Sequence, residues 1–393
     1  MPPTRGSRTW TRLDVPAGAA GLDLLAEAVG GALAGGPPVA LIPGYAPVAV
    51  QVDLHRRLAS AEHAMPTDTA VLCPTSGSTG APRIVLLSRR ALLAAAAARD
   101  AALGGVPAAW LVALPAVTAA TLIAVVRSHV AGLPLVAWPG IGGAHRFTAA
   151  DFTRAATDLL AHAGAAGAPA RTSLVPAQVA RLLADDAAVT ALRALDRVLV
   201  GGGPLDPALA RRALDLGVPI TTTYGMTETC GGCVYDGIAT PGTQVTLADD
   251  GEILLGGDCL ADCYLDGPLP LRDGLLRTGD RGRLDDAGVL HVLGRFDDIV
   301  TVRGANVDLA AVAAIVTSSP KVREAAVAAE ADPAGGHRVV AHVVGSAADA
   351  DVIRSAVREQ LGPAAVPEVR RVAVLPRLPG GKVDTRRLAK GPR

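Results

Sequence analysis

The chain has 393 residues, half of them apolar, with 37 basic and 37 acidic side chains and no net charge. That length fits two domains, or one large and one small, and the charge balance excludes nucleic acid and anionic membranes as partners recognised by bulk electrostatics. Only Lys321, Lys382 and Lys390 are lysines, so nearly every cation is an arginine.

The opening MPPTRGSRTWTRLDV lacks the continuous apolar core of a signal peptide, and a cytoplasmic protein is expected. TAVLC (69–73) and RIVLLS (83–88) read as strands, and Ser88 is placed to cap an Ala-rich helix. Val106–Val126 is 21 residues without a charge, long enough to span a bilayer. Pro115 and the hydroxyls of Thr118 and Thr121 favour instead a buried strand, AWLVAL, followed by a buried helix ending near Gly132. LPLVAW follows as a strand, TSLV runs into Pro176 at a first helical position, and DRVLV precedes a glycine turn. Asp206-Pro207 opens a helix closed by Gly217, and VPITTT makes the next strand. Strands alternating with helices in this way predict an α/β fold with a mainly parallel sheet covered on both faces.

From about residue 241 the texture changes to short strands and tight turns, GEILLGG and RGRLDDAGVLHVLGR. Beyond Arg295 the chain reads as strand IVTV, helix 308–317, two strands around DPAGG, helix 351–361, strand RVAVL, a glycine loop and a short helix. A large N-terminal domain of parallel-rich sheets covered by helices (1–295) is therefore expected, with a smaller mobile α+β domain (296–393) after it.

Cys230 and Cys233 have metal-ligand spacing, with Cys259 and Cys263 further on. No histidine completes a familiar zinc pattern, and in a reducing compartment small semi-buried thiols are the plainer expectation.

The stretch TSGSTGAPR (75–83) poses the functional question. A Walker-type loop ends in Gly-Lys-Ser/Thr and runs into a helix, whereas this one ends in Pro82-Arg83 and runs into a strand. A nucleophile elbow needs glycine two residues before its serine, and Ser76 stands two before Ser78. Two readings stay open from the loop alone. One is a plain Ser/Gly linker, against which the tightly flanking strands argue. The other is a phosphate cradle, in which Gly77 and Gly80 let backbone N–H groups approach while Thr75, Ser76, Ser78 and Thr79 add side-chain donors. Further along, TYGMTET (223–229) offers the Glu228 carboxylate for Mg²⁺. RTGD (277–280) presents Asp280 at a strand end, suited to two vicinal ribose hydroxyls; GRFDD (294–298) lies at the expected boundary, and LPRLPGGKVD (375–384) carries Lys382 on a glycine loop. In a chain that uses arginine for nearly every cation, a lysine on a glycine loop suggests a need for a slim point charge, with an exposed surface lysine as the alternative reading.

These motifs, in this order, resemble the adenylate-forming superfamily of acyl-CoA synthetases, nonribosomal-peptide adenylation domains and luciferases, over about residues 70–390. TSLVPAQVARLL (172–183) and TYGMTETCGGCVYDG (223–237) are similar to the o-succinylbenzoate–CoA ligases of menaquinone biosynthesis, especially the short actinobacterial type. The resemblance implies that a carboxylic acid and MgATP give an acyl-adenylate, whose acyl group passes to CoA after the small domain rotates. It implies that Thr75, Ser76, Gly77, Ser78, Thr79, Gly80 and Arg83 hold the β/γ-phosphates. Gly201, Gly202, Gly203 and Pro204 would pack the adenine, with Thr223, Tyr224, Gly225, Met226 and Thr227 beside them and Tyr224 stacked on the base. Glu228 would ligate Mg²⁺, Asp280 and Arg295 would hold the ribose, Asp297 would be the hinge, and Lys382, with Glu228 and Thr79, would serve the chemistry. The implied partners are a small acid, ATP and CoA, with no nucleic acid or membrane; a homodimer is left open.

Three departures stand out. The phosphate loop ends in Arg83-Ile84 where Pro-Lys-Gly is usual. The acyl-pocket segment Val117–Thr121 has no histidine, and VRGAN (302–306) brings in Arg303. The acyl pocket is expected from Thr118, Thr121, Thr172, Ser173, Gly231 and Gly232, with Arg127, unless it is a helix-surface residue, for the second carboxylate. The rival readings are adenylation of another aryl acid, transfer to an amine, nitrite or carrier-protein thiol, or a degenerate nucleotide-binding module.

Overall fold

A computed structural model describes residues 5–6, 10–60, 65–75, 83–143, 146–302, 304–319, 321–332, 337–345, 350–377 and 383–390. By its internal contacts the chain forms two compact units. The first is Met1–Leu205 with Leu209–Thr246 and Leu254–Arg277; the second is Asp206–Ala208 with Leu247–Ile253 and Thr278–Arg393.

The first unit carries two sheets. One runs, edge to edge, through Leu135–Ala137, Ala109–Val112, Ala170–Leu174, Arg197–Val200, Ile220–Met226, Gly231–Tyr235 and Ile238–Ala239. Its first five strands are parallel and the last two antiparallel. Ala109–Val112 (AWLV) and Arg197–Val200 (RVLV) are mostly apolar, as strands covered on both faces tend to be, while Ala170–Leu174 carries Thr and Ser and Ile220–Met226 carries Thr. Ala109–Val112 is buried throughout, and Val198–Val200 likewise. The covering helices obey the local signals. Ser88 Oγ accepts from Ala91 N to start Arg89–Ala102, and Thr118 starts Ala119–Ala131, which Gly132 ends in a left-handed conformation. Pro176 opens Pro176–Leu182. The uncharged stretch is thus a strand and a helix, and among the described residues no helix is long and apolar enough to cross a membrane.

The second sheet was less visible in the sequence. Thr11–Val15, Val39–Pro43 and Thr69–Pro74 lie parallel; Ile84–Ser88 and Cys263–Tyr264 then add antiparallel strands. The glycine loop therefore joins two antiparallel strands, and Thr75 and Arg83 close it with N–H to O at 2.7 Å and N–H to Oγ1 at 3.0 Å.

In the second unit, Asp280 stands opposite Arg295 in an antiparallel hairpin. Asp280 is not at a strand end, as the sequence suggests, but in the middle of Leu275–Leu284. Ile299–Val302 pairs with Ala305–Asp308, and Asp308 caps Leu309–Ser318 through N–H groups of Ala310 and Ala311. Glu324–Ala331, His337–Val344 and Glu368–Arg371 form a three-stranded sheet over a core including Val312, Val316, Val339, Val343, Ile353 and Val357. The last strand lies earlier than RVAVL because its parallel register with Val340–Val343 runs from Glu368 to Arg371.

Candidate active site

In the parallel sheet of the first unit the strand order turns between Ala109–Val112 and Ala170–Leu174. Crevices of α/β sheets open at such a point, outside the carboxyl ends of the strands. The segments that leave those ends here are Ala113–Thr118, Val175–Gln178, Gly201–Pro204 and Thr227–Cys230. Close to that point a void of about 10 Å³, room for one water at most, lies between Ala109–Val112 and the first turns of Ala119–Ala131, lined by Trp110, Ala113, Ala120, Thr121, Ala124 and Ser173 among others.

Ser173, half-buried near the carboxyl end of its strand, is placed where an acyl pocket is expected. Thr118 is the helix cap, donating to Pro115 O at 3.1 Å and accepting from Thr121 N at 3.2 Å. Three expectations are corrected. Thr172 and Thr121 are both buried, with hydroxyls that donate to Leu111 O and Pro115 O at 2.9 Å each, which removes them from any pocket. Arg127 is neither a pocket cation nor a surface residue. It is buried, its Nε donates to Asp100 Oδ1 at 2.9 Å, and its guanidinium covers the Trp110 ring at 4.3 Å. Its charge is already matched.

Gly201 and Thr223 approach so closely that a Cβ on Gly201 would lie 2.4 Å from Thr223 Oγ1, and Gly202 has φ 77°. Gly203 and Pro204 are exposed. Tyr224 and Thr227 are half-buried, and Met226 N–H donates to Thr229 Oγ1 at 3.0 Å. A Cβ on Gly225 would meet Gly231 O at 2.3 Å, so the adjoining antiparallel strand requires glycine there. Gly231 faces the first turn of Ala119–Ala131, 3.4 Å from Ala119 O to its ideal Cβ, and Gly232 packs against Thr223.

Thr227–Thr229 is a single 3₁₀ turn that presents Glu228. Its backbone carbonyl accepts from Ala261 N at 2.8 Å, and its Oε1 accepts from the Tyr264 hydroxyl at 2.8 Å. The Arg83 guanidinium lies over the Tyr264 ring, 3.2 Å from the centroid, and Nη2 is 3.9 Å from Asp266 Oδ1. Burial first, and then the Glu228 carboxylate, push the Tyr264 phenol above its ordinary range. Beneath the turn, the fully buried Arg99 donates to the carbonyls of Gly232 (2.6 Å), Thr229 (2.7 Å) and Gly231 (3.3 Å).

All five cysteines are free thiols. Cys233 donates toward Cys259, which with Arg99 nearby lowers the Cys259 thiol to about 6, while burial pushes Cys73 and Cys230 up to about 12. Among the described residues no group of three or more His, Cys, Asp or Glu could hold a metal ion.

In the second unit, Arg295 Nη1 donates to Asp280 Oδ1 at 2.8 Å, and Asp280 N–H donates to Thr278 Oγ1 at 3.0 Å. Glu252 Oε1 accepts from Gly279 N at 3.0 Å, bracing the turn of the backbone before Asp280. Asp297 is exposed, with Oδ2 3.9 Å from Arg295 Nη2. Ser76, Gly77, Ser78, Thr79, Gly80, Arg303 and Lys382 lie outside the described residues.

Residues 42–265 match the AMP-binding enzyme family, and 311–382 match the AMP-binding enzyme C-terminal domain. The chain belongs to the AMP-binding enzyme family. A probable 2-succinylbenzoate–CoA ligase of Mycobacterium tuberculosis is 39% identical over 334 residues, 82% of this chain and 84% of the relative. In fold, this AMP-binding enzyme is similar to the o-succinylbenzoate CoA synthetase of Bacillus subtilis solved with an acyl-adenylate intermediate. The TM-score there is 0.81 at 23% identity, over 98% of this chain and 89% of that one. It is also similar to an amide bond synthetase of Marinactinospora thermotolerans (TM-score 0.73, 23% identity, 99% and 90% covered). Tyr264, Arg99 and Glu252 were missed in the sequence because each acts through a contact at least 27 residues away. A tyrosine in a two-residue strand gives no local signal of that role.

Proposed function

We propose that this AMP-binding enzyme activates 2-succinylbenzoate with MgATP to an acyl-adenylate, releasing pyrophosphate, and then passes the acyl group to the CoA sulfur, releasing AMP. The likeness to the M. tuberculosis ligase over most of both chains carries the reading. The position of Ser173, Gly201 and Glu228 at or just beyond the carboxyl ends of neighbouring parallel strands supports it.

The attack joins two anions, so positioning and charge stabilisation are what the protein must supply. Thr75 to Gly80 would hold the β/γ-phosphates, and Gly201–Pro204 with Tyr224 would hold the adenine, the close approach of Gly201 to Thr223 leaving backbone open to the base. Asp280, with Arg295 fixing one carboxylate oxygen, would grip the ribose hydroxyls. Asp297 would be the hinge separating 1–295 from 296–393, and Lys382 would meet the reacting oxygens in the first step. A single carboxylate completed by phosphate oxygens and water suits Mg²⁺, and Glu228 fits: the Tyr264 hydroxyl holds Oε1, and among the described residues no hydrogen-bond donor is seen on Oε2. Bound there, Mg²⁺ would neutralise phosphate charge as pyrophosphate leaves.

The pairing of Arg127 with Asp100 favours a second reading, a mono-carboxylic aryl acid in place of 2-succinylbenzoate. A second carboxylate must find donors rather than be buried unpaired. Incubation with MgATP, CoA and 2-succinylbenzoate, followed by mass spectrometry, tests the main reading. The CoA thioester is the expected product, and pyrophosphate exchange without any thioester would refute CoA as the acceptor.

A further inference from the structure

We propose that Tyr264, braced by Arg83, is a positioning residue that sets the orientation of the Glu228 carboxylate and thereby its grip on the magnesium of MgATP; this rests on the reading of Glu228 as the metal ligand. Glu228 rides on one 3₁₀ turn, too short to hold a long side chain by packing along a helix. Both restraints on it come from a single stretch. Ala261 N–H holds the Glu228 carbonyl, and the Tyr264 hydroxyl holds Oε1, each at 2.8 Å.

Tyr264 is itself well fixed. It is 6% exposed, it pairs with Val85 while Cys263 pairs with Leu86, and Leu265 N–H donates to Ile84 O at 2.8 Å. The strand that anchors Tyr264 is therefore the one that leaves the glycine loop, and Arg83 stands immediately before it. This gives a physical account of the arginine at the end of that loop. A planar guanidinium can lie over the tyrosine ring and still reach Asp266 at its rim, which a lysine ammonium does not do equally well. The geometry thus links the end of the phosphate loop to the carboxylate through one aromatic ring. Groups that hold the non-ligating atoms of a metal ligand commonly govern its affinity.

Tyr264→Phe keeps the ring under Arg83 and removes only the O–H. Mn²⁺ binding to the enzyme–ATP complex, followed by electron paramagnetic resonance, is expected to weaken by about tenfold, with metal-free ATP binding in EDTA unchanged. Arg83→Ala and Arg83→Lys are expected to shift Mn²⁺ affinity in the same direction. Equal weakening of metal-free and metal-bound ATP in Tyr264→Phe would make the tyrosine a packing residue and overturn the proposal, as would unchanged Mn²⁺ affinity. Glu228→Gln separates the two levels. If it abolishes Mn²⁺ binding while Tyr264→Phe does nothing, the tyrosine role fails and the Glu228 reading stands. If Glu228→Gln itself leaves Mn²⁺ affinity intact, the metal-ligand reading fails.

Discussion

Arg127 and Asp100 form a buried ion pair, Nε to Oδ1 at 2.9 Å, roofed on one side by the Trp110 ring. A cation so matched cannot also receive a substrate carboxylate. Removing it leaves Asp100 with Arg171 Nη1 at 3.8 Å, and Arg127→Met is expected to cost about 1–3 kcal/mol of stability. Urea unfolding reads the loss. KM for the acid, measured well below the variant's melting range, should stay near the parent value. A large KM rise at unchanged stability would return Arg127 to the acyl pocket.

Arg99 serves the neighbouring turn in another way. Its guanidinium answers three carbonyls of Thr229–Gly232. Arg99→Ala would strand those acceptors in the interior, a loss of roughly 2–4 kcal/mol at the upper end of a charged hydrogen-bonding group's range. Arg99→Lys, a point donor without the fork, should recover only part. Full recovery by lysine would show that charge alone, rather than the forked geometry, holds the turn.

What the sequence made legible was what neighbours in sequence decide. Ser88, Thr118, Gly132 and Pro176 act on their own helices, and the strands at 69–74 and 84–88 follow from local apolar runs. Contacts between distant segments were not legible. Val39 needs Val71 to become a strand partner, and the parallel register with Val340–Val343 moves the last strand to Glu368–Arg371. The same holds at the site. Motifs pointed to Glu228 and Asp280, but the Tyr264 hydroxyl on Glu228 and the ion pair that engages Arg127 depend on packing between elements.

The buried thiols make stability pH-dependent. Cys259 falls from an ordinary 9.0 to about 6, chiefly through the Cys233 hydrogen bond. A depressed thiol stabilises the fold fully above its unfolded value, and that contribution is lost as pH falls through the folded value. Under reducing conditions, the stability advantage of the parent over Cys259→Ala should therefore grow from about pH 6 to pH 9. An advantage that stays flat across that window would mean Cys259 remains a neutral thiol.

Lys382→Ala is expected to lower acyl-adenylate formation by about 3–4 kcal/mol in barrier, comparable to loss of one preorganised electrostatic donor. ATP binding and the fold should be nearly unchanged. Thioester formation from preformed acyl-adenylate should suffer much less, since the lysine is assigned to the first step only. Pyrophosphate exchange close to the parent rate would remove Lys382 from the chemistry.

The substrate assignment is tested most directly by kcat/KM for CoA-thioester formation with MgATP, comparing 2-succinylbenzoate with benzoates and cinnamates. The expected result is a clear preference for 2-succinylbenzoate over the mono-acids. A preference of about tenfold or more for the mono-acids, equivalent to roughly 1.4 kcal/mol in transition-state binding, would contradict it and leave adenylation of a different aryl acid.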